Sequence, residues 1–396
     1  MLAGSTLAVL GAAFRTRSTV FCVLIAAAVA FRMGVASACP FCSALQPTLS
    51  DDLEQCTAAV LARCESVTER DGFHLLKLRL ESVVRGDGDH RGKVLFVEST
   101  QPVANGGLVL LFGFGDPLQW DPPREITREA VDYIGQLQTL PASGPQRLAY
   151  FLQQLRHRDP VVSQDAYNEF AEATMEDITG LQKYLDREWV LDQLRDASTP
   201  VHRRRLCWTF LSQCGTSADL VLFEELIQQR VNDPTAEFGM DAAIACYIAL
   251  GGEKALARIE RDYLANKEAS YSDSFAAVSA IRVHGSDLNC IPKPRLSAAL
   301  RLVLNRPELA DLVIADLARW EDWSAIDQMV QLFETDLQKS NLVKPAVVLY
   351  LKTCPTPKGA EALDRLRLVD AEAVRFAEAS MRMYPGLPSI PVPPPE

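Results

Sequence analysis

The chain has 396 residues, 48% of them hydrophobic, 23% charged and 8% aromatic, with 51 acids against 40 bases and 10 cysteines. Those proportions exclude a disordered chain, a collagen-like chain and a disulfide-held miniprotein. The length leaves room for two or three domains with proper cores. The acid excess argues against nucleic acid or an anionic membrane surface as a partner.

The predicted elements begin with an address. Residues 1–19 hold Arg15 and Arg17 and no acid, and Val20 to Phe31 is an unbroken run of twelve apolar residues closed by Arg32. A helix needs ~20 such residues to cross a bilayer, so this run reads as the core of a signal peptide rather than a span. Ala36-Ser37-Ala38 is the small-x-small pattern that a signal peptidase cuts. The expectation is a signal peptide over 1–38, cleaved between Ala38 and Cys39, and an exported (periplasmic or secreted) chain with no remaining membrane span. Cleavage removes three arginines and no acid, moving the formal charge from −11 to −14. A lipid anchor on Cys39 is the lesser alternative, because Ala36 stands where such sites carry a large apolar residue.

Cys22 leaves with the signal. Cys39, Cys42, Cys56 and Cys64 then crowd the start of the mature chain, and export makes them the disulfide candidates. Cys56 and Cys64 are eight residues apart in a predicted strand, about 26 Å when extended, so they are not expected to pair with each other, and either could reach back to Cys39 or Cys42. Cys207, Cys214, Cys246, Cys290 and Cys354 read as small buried hydrophobes, with at least one free thiol because nine is odd.

Residues 55–115 read as strands. Thr57 to Val67 is one apolar stretch; from Phe73 to Val84, Leu76, Leu78 and Leu80 alternate with Lys77, Arg79 and Glu81. A turn at Arg85-Gly86-Asp87-Gly88-Asp89 leads to Lys93–Glu98, and Asn105-Gly106-Gly107 turns into Leu108 to Phe114. Terminal cysteines, a strand ending Arg63-Cys64-Glu65-Ser66-Val67, a second closing Glu81-Ser82-Val83-Val84-Arg85-Gly86, and Gly107-Leu108-Val109-Leu110-Leu111-Phe112 together resemble the netrin-like module, the OB-type barrel of the tissue inhibitors of metalloproteinases. The resemblance covers about residues 39–125. It implies a small closed barrel and, through a freed Cys39 amine, a metalloprotease-inhibitor-like module. Those inhibitors open Cys-x-Cys, whereas this chain opens Cys39-Pro40-Phe41-Cys42.

From Ile126 the period becomes helical, with Ile126, Ala130, Ile134 and Leu137 on one stripe and Leu148, Phe151, Leu152 and Leu155 on the next. Residues 126–145 form a helical linker ending in Pro141-Ala142-Ser143-Gly144-Pro145. Beyond it, helix ends are expected near Gly215, Gly251, Gly285, Trp320 and Cys354, at steps of 36, 34, 35 and 34 residues. A fixed period of that size marks an α-solenoid. Asp159-Pro160-Val161-Val162 with Asp165-Ala166, and Leu194-Arg195-Asp196 with Pro200-Val201, Arg204, Leu211 and Gly215, resemble HEAT-type repeats, in which such a corner starts the second helix of each pair. That resemblance covers about 146–370 and implies a concave face for a protein partner. The expected fold is thus α+β and multidomain: a small OB-like β-barrel (39–125), the linker (126–145), a HEAT-like α-solenoid of helix pairs (146–383) and a Pro-rich disordered tail (384–396). Six prolines fall in the last twelve residues of that tail.

Candidate chemistry is sparse. Cys39-Pro40-Phe41-Cys42 resembles a glutaredoxin active site, and a Cys-x-x-Cys pair can form a reducible disulfide. A glutaredoxin needs a strand before the motif, which here follows the signal peptide. His74, His90, His157, His202 and His284 have no metal-ligand spacing. No cofactor motif is found. His202-Arg203-Arg204-Arg205 reads as a solvated helix face, and Trp320 with Trp323 as core packing. The preferred expectation is an exported, non-catalytic protein-binding or scaffold protein. A thiol-disulfide redox protein using Cys39 and Cys42 is the first alternative, and a metalloprotease-inhibitor-like module the second.

Overall fold

The computed structural model describes residues 39–42, 46–70, 72–86, 91–233, 239–335 and 342–383. The expected signal peptide with its cleavage point at Ala38, His90 and the Pro-rich tail lie outside them. Among the described residues, no helix is long and apolar enough to cross a membrane.

The side chain of Thr48 accepts from the Asp51 amide and starts a short helix, α1 (Leu49–Gln55). Two strands follow, β1 (Ala58–Arg70) and β2 (Phe73–Arg85), in antiparallel pairing. Their register slips at Ala59/Val60, Leu61/Ala62 and Cys64/Ser66, and such bulges bend and twist a ribbon. β3 (Val94–Ser99) pairs with β2, and β4 (Leu108–Phe114) with β1. β5 (Gln119–Trp120) and β6 (Arg124–Ile126) both pair with β4. The order is β3-β2-β1-β4-β5, with β6 beside β4.

The four expected strands are present, but the barrel is not: among the described residues the sheet is open, with six strands and β3 at its edge. Two features explain why closure is unnecessary. The free side of β4 is taken by β5 and β6. One face gathers Val60, Ala62, Cys64, Leu76, Leu78, Leu80, Val109 and Leu111 into a core of its own. The other face, with Ala59, Leu61, Leu110 and Phe112, is buried among helices.

Thr127 caps α2 (Arg128–Leu137), so Ile126, expected as the first helical residue, instead closes the sheet opposite Leu108. α3 (Pro145–Gln154) packs on α4 (Pro160–Glu172), which starts at the Asp159-Pro160 corner, with the Asp159 carboxylate accepting from the Val161 and Val162 amides. α5 (Met175–Thr179), α6 (Arg187–Arg195), α7 (Val201–Cys214) and α8 (Val221–Asn232) follow. Next come α9 (Met240–Ile259), α10 (Tyr271–Val283), α11 (Lys293–Arg301) and α12 (Asp311–Arg319). α13 (Ile326–Glu334), α14 (Val343–Thr353), α15 (Pro357–Val369) and α16 (Ala371–Met383) are the last of the described helices. Gly215, Trp320 and Cys354 are C-caps, and Gly285 lies in the wide turn 284–288 after α10. At the Gly251 position the helical run continues but is broken by Gly252, at φ 61 and ψ −144, a conformation that favours glycine.

α7 packs on α9, α9 on α10, α10 on α12, α12 on α14 and α14 on α16. Ion pairs also cross between elements along this run: Arg187–Asp219, Arg205–Asp241, Arg258–Glu224, Arg295–Glu260, Arg282–Asp316 and Arg365–Glu334, at separations of 32, 36, 34, 35, 34 and 31 residues. One buried cluster runs from Cys39 through the helix-facing side of the sheet to Ala377. Sheet and helices therefore share a core, and the described residues from Cys39 onward form one compact unit.

Candidate functional site

Cys39-Pro40-Phe41-Cys42 forms a turn closed by the Cys42 amide donating to the Cys39 carbonyl at 3.2 Å. Phe41 anchors it in the core and Pro40 points to solvent. Cys39 is 2% exposed, whereas Cys42 is half-buried. The thiols are in hydrogen-bonding contact, Cys42 donating to Cys39. That bond, helped by the Phe41 and Cys42 amides, pulls the Cys39 thiol below its usual range against the opposition of burial. The same bond and burial push Cys42 well above it.

The turn's charged neighbours come from distant helices: Arg205 from the middle of α7 and Asp241 from the start of α9. They pair with each other at 3.1 Å. Gly239, just before α9, has φ +69, and a Cβ there would lie 2.7 Å from the Arg205 Cγ, so only glycine lets the arginine pass.

The other sequence-predicted cysteines are not brought into this turn. Cys56 caps the end of α1, its thiol donating to the Leu53 carbonyl at 3.4 Å, and contributes to the core on the helix-facing side of the sheet. Cys64 points to the opposite face. Nine cysteines, Cys39 to Cys354, are free thiols. Cys207, Cys246 and Cys354 are buried, Cys214 is half-buried and Cys290 is exposed.

The basic run on α7 is not the solvated face expected. Arg203 lies over the Tyr167 ring at 5.3 Å, His202 meets the same ring edge-on, Arg204 is 8% exposed and donates to the Thr199 carbonyl at 3.2 Å, and Arg205 pairs with Asp241. The reason is that α7 has packed neighbours on several sides, so cationic stems become part of the packing. His284 is buried, its Nε2 2.9 Å from the Ala245 carbonyl, and burial lowers its affinity for a proton. Among the described residues no His, Cys, Asp and Glu group could hold a metal ion. Trp320 covers Gly285, and Trp323 packs on Tyr350.

A second polar constellation escaped the sequence reading. Asp165 on α4 accepts from the Leu49 amide at 2.7 Å and from the Tyr133 hydroxyl at 2.6 Å. Beside it, Ser50 donates to Glu169 at 2.6 Å and Arg147 donates to both Glu169 and Ser50. Burial pushes Asp165 up to about 7, and burial together with Asp51 does the same for Glu172. Every polar group here has a protein partner, so the constellation clamps α1 onto α4. Its one sequence signal was Asp165 inside the repeat-like string.

Fold and site together define an α+β protein, an antiparallel sheet followed by a long run of helices, with a dithiol turn at Cys39–Cys42 that feels the charges of Arg205 and Asp241. Comparison with protein-family models, with curated proteins and with solved structures finds no match.

Proposed function

We propose that the protein is an exported binding or scaffold protein, with an OB-like sheet module docked on a HEAT-like solenoid whose outer surface takes a protein partner. Ion pairs recurring at 31 to 36 residues support the repeat reading, because each pair then joins one unit to the next. The bulged, self-cored face of the sheet supports the OB-like reading.

The observation that carries the binding role lies on the last helix pair. Leu368 is 90% exposed, and Val369 and Phe376 beside the α15–α16 junction are also exposed. Terminal units of a solenoid need a polar outer face to stay soluble, so an apolar end marks a surface meant to be covered. A shallow groove of about 560 Å³ runs close by between α13 and α15, its rim carrying the Asp327–Lys358 and Glu334–Arg365 pairs. Capture from the exported fraction with the wild-type chain and with Leu368→Glu/Phe376→Glu tests the reading. A partner retained by the wild type and lost by the variant, with equal melting behaviour, supports it. Identical captures overturn it.

A further inference from the structure

The Cys39–Cys42 turn offers more than packing. Cys39 is buried and Cys42 is half-buried, so of the two residues only Cys42 keeps appreciable surface open to solvent. Phe41 fixes the turn in the core, and its closing 3.2 Å backbone hydrogen bond draws Cys39 and Cys42 to the two ends of one tight turn. Arg205 and Asp241 place a compensated charge pair beside the sulfurs.

We propose that Cys39 and Cys42 form a reversible dithiol–disulfide site whose co-reactant is an external disulfide, with Cys42 as the entry sulfur and Cys39 as the resolving one. This activity is independent of the partner-binding surface at the far end of the chain. In the oxidising direction Cys42 first gives up its proton, and its thiolate attacks the external disulfide, forming a mixed disulfide and expelling one thiolate that takes up that proton. The Cys39 thiolate then attacks the Cys42 sulfur and expels the second thiol, which takes up the Cys39 proton. The protein loses two electrons and two protons, and the external disulfide becomes two thiols. In reverse, an external thiolate enters at the Cys42 sulfur and Cys39 leaves. The Phe41 and Cys42 amides and the Cys42 thiol stabilise that leaving thiolate, and a stabilised leaving thiolate departs faster.

The test uses the full chain, with glutathione and glutathione disulfide as probes. The reduced protein is equilibrated across buffers of graded ratio, quenched in acid, alkylated and digested. The peptide carrying residues 39–42 should pass between a doubly alkylated form and an internal disulfide two hydrogens lighter, and return when the buffer is reversed. The Cys39→Ser variant should accumulate a Cys42–glutathione mixed disulfide that the wild type clears. Three wild-type outcomes overturn the proposal: a bond from either cysteine to Cys56 or Cys64, a dithiol unchanged in every buffer, or a mixed disulfide at Cys42 that never resolves. The wild-type measurement decides even where the variant fails to fold.

Discussion

The Asp165 carboxylate accepts the Leu49 backbone amide at 2.7 Å across 116 residues of chain. That one contact couples the first helix to the fourth, and its buried carboxyl titrates near neutrality. The folded chain holds the Asp165 proton up to about 7, against an ordinary 3.8. Between those values it binds more protons than the unfolded chain, so this group's stabilisation is full below the lower value and is lost as pH rises through the upper. Urea midpoints measured from pH 4 to 8 should carry a falling component of at most about 1.4 kcal/mol per pH unit. Asp165→Asn should remove it. A variant curve parallel to the wild type would refute the assignment.

Truncating that carboxylate has a separate cost. Asp165→Ala strands the buried Leu49 amide and the Tyr133 hydroxyl, a loss of about 1–3 kcal/mol per unsatisfied group. Hydrogen exchange should show α1 opening first while the β1–β2 ladder stays protected.

Arg306 is 4% exposed and donates to the Tyr263 carbonyl at 3.1 Å, the Ala269 carbonyl at 2.9 Å and the Ser274 hydroxyl at 2.7 Å. Its guanidinium thus satisfies the irregular chain between α9 and α10. Arg306→Met should cost about 3 kcal/mol or more, because it keeps the stem but strands these acceptors. A midpoint within error of the wild type would count against this role.

Gly285 is tight for a different reason. A Cβ there would sit 2.2 Å from the Trp320 ring, so Gly285→Ala should destabilise by about 1–3 kcal/mol through overpacking. Trp320→Leu in the same chain should recover part of the loss, which thermal melts of the single and double variants can read.

Thiol labelling should follow burial. Cys290 is exposed and should react with maleimide first. Cys207, pushed up to about 12 by burial, and Cys246, only 1% exposed, should react only on unfolding. Prompt labelling of Cys246 in the native state would show that α9 opens locally.

Local features of this fold were legible because they are written in local patterns. The alternation of Leu76, Leu78 and Leu80 located β2, and the Asp159-Pro160 corner located the start of α4. Gly215, Trp320 and Cys354 marked helix ends because each sits where a helix must stop. What stayed hidden depends on distant chain. Whether a sheet closes is decided by what else pairs with β4, and the two- and three-residue strands β5 and β6 carry too little periodicity to announce themselves. α1, seven residues long, was missed for the same reason. At the candidate site the Cys-x-x-Cys spacing was visible. Its neighbours Arg205 and Asp241 were not, because no local rule connects them to the start of the chain.

The shared core sets an order of events during synthesis. A ribosome delivers the sheet first, yet Ala59, Leu61, Leu110 and Phe112 belong to a buried cluster completed by residues of the later helices, Tyr133, Phe151 and Phe170 among them. Until roughly the end of α4 has emerged, a nascent chain carries an apolar sheet face with nothing to lie against it. A chain cut short before α4 should therefore be prone to aggregate through that face.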